Sequence, residues 1–161
     1  MHLHIQGHEG PTAGEAEVEV VERKGLGHPD TICDGIAEQV CRRLCQAYVE
    51  QFGHVLHHNV DKILLCAGTN RVAFGGGEIL EPIEIFLGGR ATVEADGRVI
   101  PIDAIAIDAC KEHLRETLPL LDVERHVRIV SRLRRGSADL QRLFARSPEG
   151  PLANDTSCGA G

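Results

Sequence analysis

Apolar residues recur along this chain with two different periods. Over residues 15–21, Ala16, Val18 and Val20 alternate with Glu15, Glu17 and Glu19, the pattern of a strand with one buried face. The period then changes. Ile32, Ile36, Val40, Leu44, Tyr48 and Phe52 recur every fourth residue, flanked by Cys33, Ala37, Cys41 and Ala47. That stripe predicts a core-facing helix over 29–52. Pro29 suits the first helical position, and Gly53 the position just past the end. A short, nearly continuous apolar run at 63–67 predicts a buried strand. Val72, Ala73 and Phe74 lead into Gly75, Gly76, Gly77 and Glu78. Residues 79–89 read as strand again, interrupted at Pro82, whose missing N–H marks an edge or bulge. Ala95-Asp96-Gly97, between extended runs at 91–94 and 98–102, predicts a hairpin. Asp103 is placed to cap a second helix over 104–118, with Ile105, Ala109, Leu114 and Leu118 buried and Pro119 just beyond. A strand follows at 126–133, with Val127 and Ile129 opposite Arg128. Ser137 is placed to cap a short helix over 138–146.

Helices returning to a sheet in this order give an α+β fold: a two-layer domain over 15–147, with a mixed or antiparallel sheet and helices on one face. Gly10, Pro11, Thr12 and Gly14 break any period in residues 1–14, which are expected to be disordered. Residues 148–161 are expected to form a polar tail. Neither the P-loop signature nor the dinucleotide glycine fingerprint is present.

Composition narrows the function classes. The 161 residues suit one domain, and 42% hydrophobic with 25% charged residues is ordinary for a globular chain. Aromatics are only 3%, too few for a surface that stacks single-stranded bases. The net charge of -7 is uneven: seven arginines against one aspartate at 125–146 give a local +6, leaving -13 elsewhere. Such a body is not a general nucleic-acid binder, although the arginines can face water or phosphate at a sheet edge. No signal peptide and no membrane-spanning apolar run is visible, so a cytoplasmic chain with reduced thiols is expected. Cys41 and Cys45 lie one helical turn apart, with His57 and His58 further on. Without a C-x-x-C pair they read as small buried hydrophobes rather than zinc ligands. His2, His4 and His8 read as part of a loose terminus.

The densest chemistry lies in Glu22-Arg23-Lys24-Gly25-Leu26-Gly27-His28-Pro29-Asp30. A glycine-broken, partly basic loop hands directly into the predicted helix. A helix start favours anions through its dipole and its free N–H groups. Gly25 and Gly27 let a ligand approach the backbone. His28 there can donate to a phosphate oxygen. Asp30 suits either the helix dipole or a Mg²⁺ ion shared with substrate phosphates. The three glycines before Glu78 fit a close approach of backbone to ligand, or else a flexible surface loop. Asp61 and Lys62, just before a buried strand, read as solvated charges or as groups reaching a cation or a phosphate.

Five stretches together carry a family resemblance: VERKGLGHPDTICDGIAE, FGHVLHHNVDKILL, FGGGEILEPIEIFLGGRAT, KEHLRETLPLLDVERHV and PLANDTS. The chain resembles the N-terminal portion of the archaeal-type S-adenosylmethionine synthetases (methionine adenosyltransferases). The resemblance implies their fold and a reaction in which methionine sulfur attacks C5′ of ATP. The triphosphate leaves whole and is cleaved to phosphate and diphosphate, with Mg²⁺ and in many relatives K⁺. By similarity His28 assists departure of the triphosphate and Asp30 holds Mg²⁺. Glu22 and Glu78 match carboxylates at the methionine and cation end. Asn154 and Asp155 fall in the nucleotide-side ANDT stretch, Lys62 is assigned to substrate, and Asp61 matches the K⁺ carboxylate. Family members continue through two further related domains and carry an aromatic where Cys158 stands. Their active sites lie between two subunits. The resemblance therefore implies a homodimer, or pairing with a longer family subunit, and an isolated chain short of full activity. The alternative is a catalytically incomplete module that binds ATP or polyphosphate or a partner subunit.

Overall fold

α1 (Pro29–Phe52) forms where the four-residue repeat places it. The computed structural model describes residues 4–7, 9–15 and 17–136. Ile32, Ile36, Val40, Leu44 and Tyr48 of α1 are all buried, so the stripe faces the core. Gly53 ends the helix in the left-handed region at φ 78°, and its N–H donates to the Val49 carbonyl.

The core of the sheet is β1 (His58–Cys66), β4 (Ile83–Ala91) and β7 (Val127–Arg135), in the order β1-β4-β7. β1 runs antiparallel to β4, and β4 parallel to β7. A parallel neighbour needs a crossover. α2 (Ile102–Thr117) and the short α3 (Val123–His126) provide it. α1 packs on β1 and α2, and α2 packs on β7. Ile85 and Leu87 of β4 are fully buried on the helix side. The Tyr48 hydroxyl, also in the core, donates to the Thr92 carbonyl at 2.9 Å. The result is the two-layer α+β arrangement with a mixed sheet.

Two hairpins project from this frame. β2 (Thr69–Ala73) and β3 (Gly76–Glu81) form one, turning at Phe74-Gly75, with Gly75 at φ 80°. Pro82 separates β3 from β4 as its missing donor predicts. β5 (Glu94–Ala95) and β6 (Arg98–Val99) flank Asp96 and Gly97, whose φ values of 48° and 71° make the expected mirror-image turn.

Three expectations are corrected. The described residues of 15–21 are in no strand. Instead, Glu15 closes a 3-10 turn (Ala13–Glu15) and its carboxylate accepts from the Thr12 N–H at 2.7 Å. Val18, Val20 and Val21 are exposed. An alternating face needs a paired neighbour, and no described strand lies beside it. Asp103 does not cap α2. The helix begins at Ile102, whose burial draws it into the core, with Pro101 at the cap. Asp103 accepts instead from the Ser131 hydroxyl of β7. The inward face of α2 is accordingly Ile102, Ala106, Ala109, Cys110 and Leu114, while Ile105 and Leu118 are half-buried. α3 was not expected. The Asp122 carboxylate caps it, accepting from the Arg125 N–H. The helix expected over 138–146 lies outside the described residues.

Candidate anion site at the start of α1

His28 occupies the N-cap of α1 in an extended conformation, with Pro29 at the first helical position. Its Nδ1 accepts from the Asp30 N–H at 3.1 Å, and the His28 backbone N–H donates to the Gly25 carbonyl at 3.0 Å. Nδ1 therefore carries a lone pair, and the proton of the neutral ring sits on Nε2. Backbone donors at this helix start are partly used internally. The groups left to meet an anion are the Nε2–H, the Lys24 ammonium and the helix dipole. Added Cβ atoms would meet nothing at Gly25, and only Leu118 Cδ2 at 3.9 Å at Gly27. The loop surface is open, as the two glycines suggested.

Asp30 and Lys24 form an exposed ion pair. The hydrogen bond from Lys24 and its charge hold the Asp30 carboxyl below the usual range, and the same contact raises Lys24. Asp30 is thus an ionised oxygen donor over a wide pH range, which fits the carboxylate-plus-phosphate chemistry of Mg²⁺.

A cleft of about 270 Å³ opens beside this loop. Gly27 and Pro29 line one side; Thr69, Asn70, Ile79 and Glu81 of the β2–β3 hairpin line another. The glycine loop before α1 and the open end of the β2–β3 hairpin thus border one space, whereas Gly75, Gly76, Gly77 and Glu78 lie outside its lining. Glu78 itself pairs across the hairpin with Arg71 at 3.5 Å, and Glu22 is exposed on the loop. Gly76 and Gly77 pair with Ala73 and Val72 in the strand ladder, so the glycine run serves the hairpin.

Asp61 and Lys62 lie elsewhere, paired with each other. They line a second cleft of about 360 Å³ with His57, Asn59, Gly89, Arg90 and Arg134. The register of β1 on β4 shifts between Asn59 and Lys62, a bulge that re-aims these side chains. One carboxylate among three cationic side chains is a poor donor set for K⁺ and a better surround for an anion. Sequence reasoning missed Arg90 and Arg134 as partners of Lys62; the arginine-rich character of 125–146 was the available signal. Asn154 and Asp155 lie outside the described residues.

The structure also brings together sulfur and nitrogen atoms that the sequence reading had set aside as small buried hydrophobes. Cys41, Cys45 and His58 place their ligand atoms within 4.8 Å of one another. Burial, with Cys45 next, pushes the Cys41 thiol up to about 11. Burial pushes Cys110 up to about 12. These are neutral thiols rather than poised nucleophiles.

The longest helix among the described residues thus starts beside an imidazole, an ammonium and a carboxylate. The chain belongs to the S-adenosylmethionine synthetase (AdoMet synthetase) family, whose sequence model matches residues 1–161. It is similar to the S-adenosylmethionine synthase of Methanothermobacter thermautotrophicus, 51% identical over 147 residues, covering 91% of this chain and 37% of that protein. The synthase of Haloarcula marismortui is 50% identical over 159 residues, covering 99% of this chain and 40% of that protein. That of Methanothrix thermoacetophila is 52% identical over 146 residues, covering 90% and 37%. The chain thus spans about two fifths of the length of the curated relatives it matches. Among the described residues no helix is long and apolar enough to cross a membrane.

Proposed function

We propose that this chain supplies the triphosphate-gripping part of an S-adenosylmethionine synthase acting on ATP and methionine. The observation that carries the reading is the N-cap of α1. The Asp30 N–H occupies His28 Nδ1, so the ring's only proton is on Nε2. In the proposed reaction methionine sulfur attacks C5′ of ATP, and negative charge grows on the departing triphosphate. A fixed Nε2–H donor beside the positive end of a 24-residue helix stabilises that charge as it forms. Lys24 adds a second positive group. Asp30 would hold Mg²⁺, which when bound offsets the charge of the polyphosphate. Glu22 and Glu78 are the carboxylates offered to the ammonium end of methionine, and Lys62 to a phosphate. Asp61 is left without a K⁺, because its cationic surround does not suit one.

The open face of the sheet supports association. Leu64, Phe86 and Val130 are register partners across β1, β4 and β7. They point away from the helix layer, and Leu64 is 59% exposed. A second copy, or a longer family subunit, is the proposed cover. The described cysteines are free thiols, in keeping with a cytoplasmic setting.

Calorimetric titration with tripolyphosphate and Mg²⁺ tests the reading. The 161-residue chain is expected to bind it, and His28→Ala and Asp30→Asn each to weaken binding by about tenfold, as loss of one charge-assisted contact implies. With ATP, methionine, Mg²⁺ and K⁺ the isolated chain is expected to form little S-adenosylmethionine. Binding that ignores both substitutions would overturn the assignment.

A further inference from the structure

Cys41 and Cys45 lie one turn apart on α1, and His58 is the first residue of β1. All three are half-buried. Cys41 Sγ lies 3.2 Å and Cys45 Sγ 3.5 Å from the same atom, His58 Nε2. The other ring nitrogen, Nδ1, is 2.9 Å from the Leu56 carbonyl oxygen. A carbonyl only accepts, so Nδ1 holds the proton and Nε2 turns its lone pair towards the two sulfurs. That backbone contact is the usual means of fixing a metal-binding imidazole. The Tyr48 ring, 5.5 Å away between centroids, restricts the imidazole further.

Ordinary packing accounts poorly for this convergence. One lone pair accepts one S–H, which leaves the second thiol only the weak thiol–thiol contact between Cys41 and Cys45. An intrahelical disulfide does not fit either. Residues four apart on a helix have Cβ atoms about 5–6 Å apart, whereas a disulfide needs roughly 3.5–4.5 Å. Tetrahedral zinc does fit. Bonds of about 2.3 Å to sulfur and about 2.0 Å to nitrogen put S and N roughly 3.5 Å apart. The two observed separations lie within a few tenths of an ångström of that.

We propose that Cys41, Cys45 and His58 form a zinc site that pins the middle of α1 to the start of β1. Two thiolates and an imidazole select Zn²⁺ over Mg²⁺, so this centre is chemically separate from the carboxylate at Asp30. Three protein ligands leave a fourth position for water. Among the described residues this is the only such grouping of metal-ligating side chains. Its place matters because β1 continues at once into the bulge at Val60 and Asp61, next to Lys62. A pinned His58 fixes where that bulge begins.

The test uses the full 161-residue chain, reduced and freed of metal, titrated with Co²⁺ and then Zn²⁺. The expected result is one equivalent of Co²⁺ with a thiolate-to-cobalt charge-transfer band and the strong visible bands of tetrahedral cobalt, displaced by Zn²⁺. Zn²⁺ is also expected to raise the thermal midpoint. Cys41→Ser, Cys45→Ser and His58→Gln are each expected to cut affinity at least about a hundredfold. Cys66→Ser, at an exposed thiol outside the site, is expected to change nothing. X-ray absorption on the unmutated protein reads the ligand set without any variant and should show two sulfurs and at least one imidazole nitrogen. A chain that takes up no stoichiometric cobalt overturns the proposal. So does a charge-transfer band that survives the Cys41→Ser/Cys45→Ser double substitution, or an oxygen-only ligand set.

Discussion

His28 shows how one side chain serves the backbone and remains available to a ligand. Its Nδ1 caps α1, and capping of this kind is worth about 1 kcal/mol. The same bond dictates which nitrogen keeps the proton. A second histidine reports on stability instead. Burial lowers the pKa of His113, with Glu116 a smaller opposing influence. Its neutral form is the one the fold prefers. The contribution to stability is therefore complete above the unfolded value near 6.5 and is lost as pH falls from there through the lowered folded value. His57 is lowered for the same first reason, burial, and acts in the same direction. Urea midpoints are expected to fall between about pH 7 and about pH 5, and to fall less in His113→Gln. An equal fall in both proteins would remove His113 from the account.

At the scale of elements, the bulge between β1 and β4 is the feature on which the second cleft rests. Gly89 stands opposite the extra residue of β1 at φ 149°, and a Cβ there would lie 2.3 Å from the Asn59 carbonyl oxygen. Backbone cannot retreat as the end of a flexible side chain can. Gly89→Ala is expected to cost on the order of 3 kcal/mol in chemical denaturation. Gly75→Ala, at φ 80° but with open space around it, should cost less. Equal costs would show that crowding at Asn59 adds nothing. Legibility from sequence follows the same physics. α1 was readable to both ends, because periodicity, Pro29 and Gly53 all point one way. The break at Pro82 and the Asp96-Gly97 turn were readable because a missing donor or a positive φ leaves few alternatives. Residues 15–21 were misread because alternation reports one apolar face and says nothing of a pairing strand. α2 was shifted because Asp103 looks like a cap, while burial of Ile102 decides where the helix begins.

For the whole molecule, sheet register decides what neighbours what. It carries Leu64, Phe86 and Val130 into one row on the face away from the helices. An apolar row of this kind on an open face favours a partner. Leu64→Lys is expected to lower self-association in analytical ultracentrifugation by at least about tenfold while leaving the fold intact. A wild-type chain that stays monomeric at high concentration would contradict the proposed cover. Long-range placement is also what local reading could not supply for the site. His28 and Asp30 were legible from the loop-to-helix signature. The sharing of a cleft between Gly27, Pro29 and the β2–β3 hairpin was not, since these segments are some forty residues apart. Likewise Cys41, Cys45 and His58 were set aside for want of a C-x-x-C pair, because only the packing of α1 on β1 shows that they meet.

The central claim is that the start of α1 receives the triphosphate of ATP. Nuclear magnetic resonance on the labelled chain tests it most directly, by following the His28 imidazole and the amides of residues 24–32 as tripolyphosphate and Mg²⁺ are added. The account predicts that these signals shift together and saturably, that the His28 Nε2–H becomes protected from exchange, and that Asp30→Asn weakens the response. Shifts confined to Lys62, Arg90 and Arg134, with His28 unmoved, would contradict it.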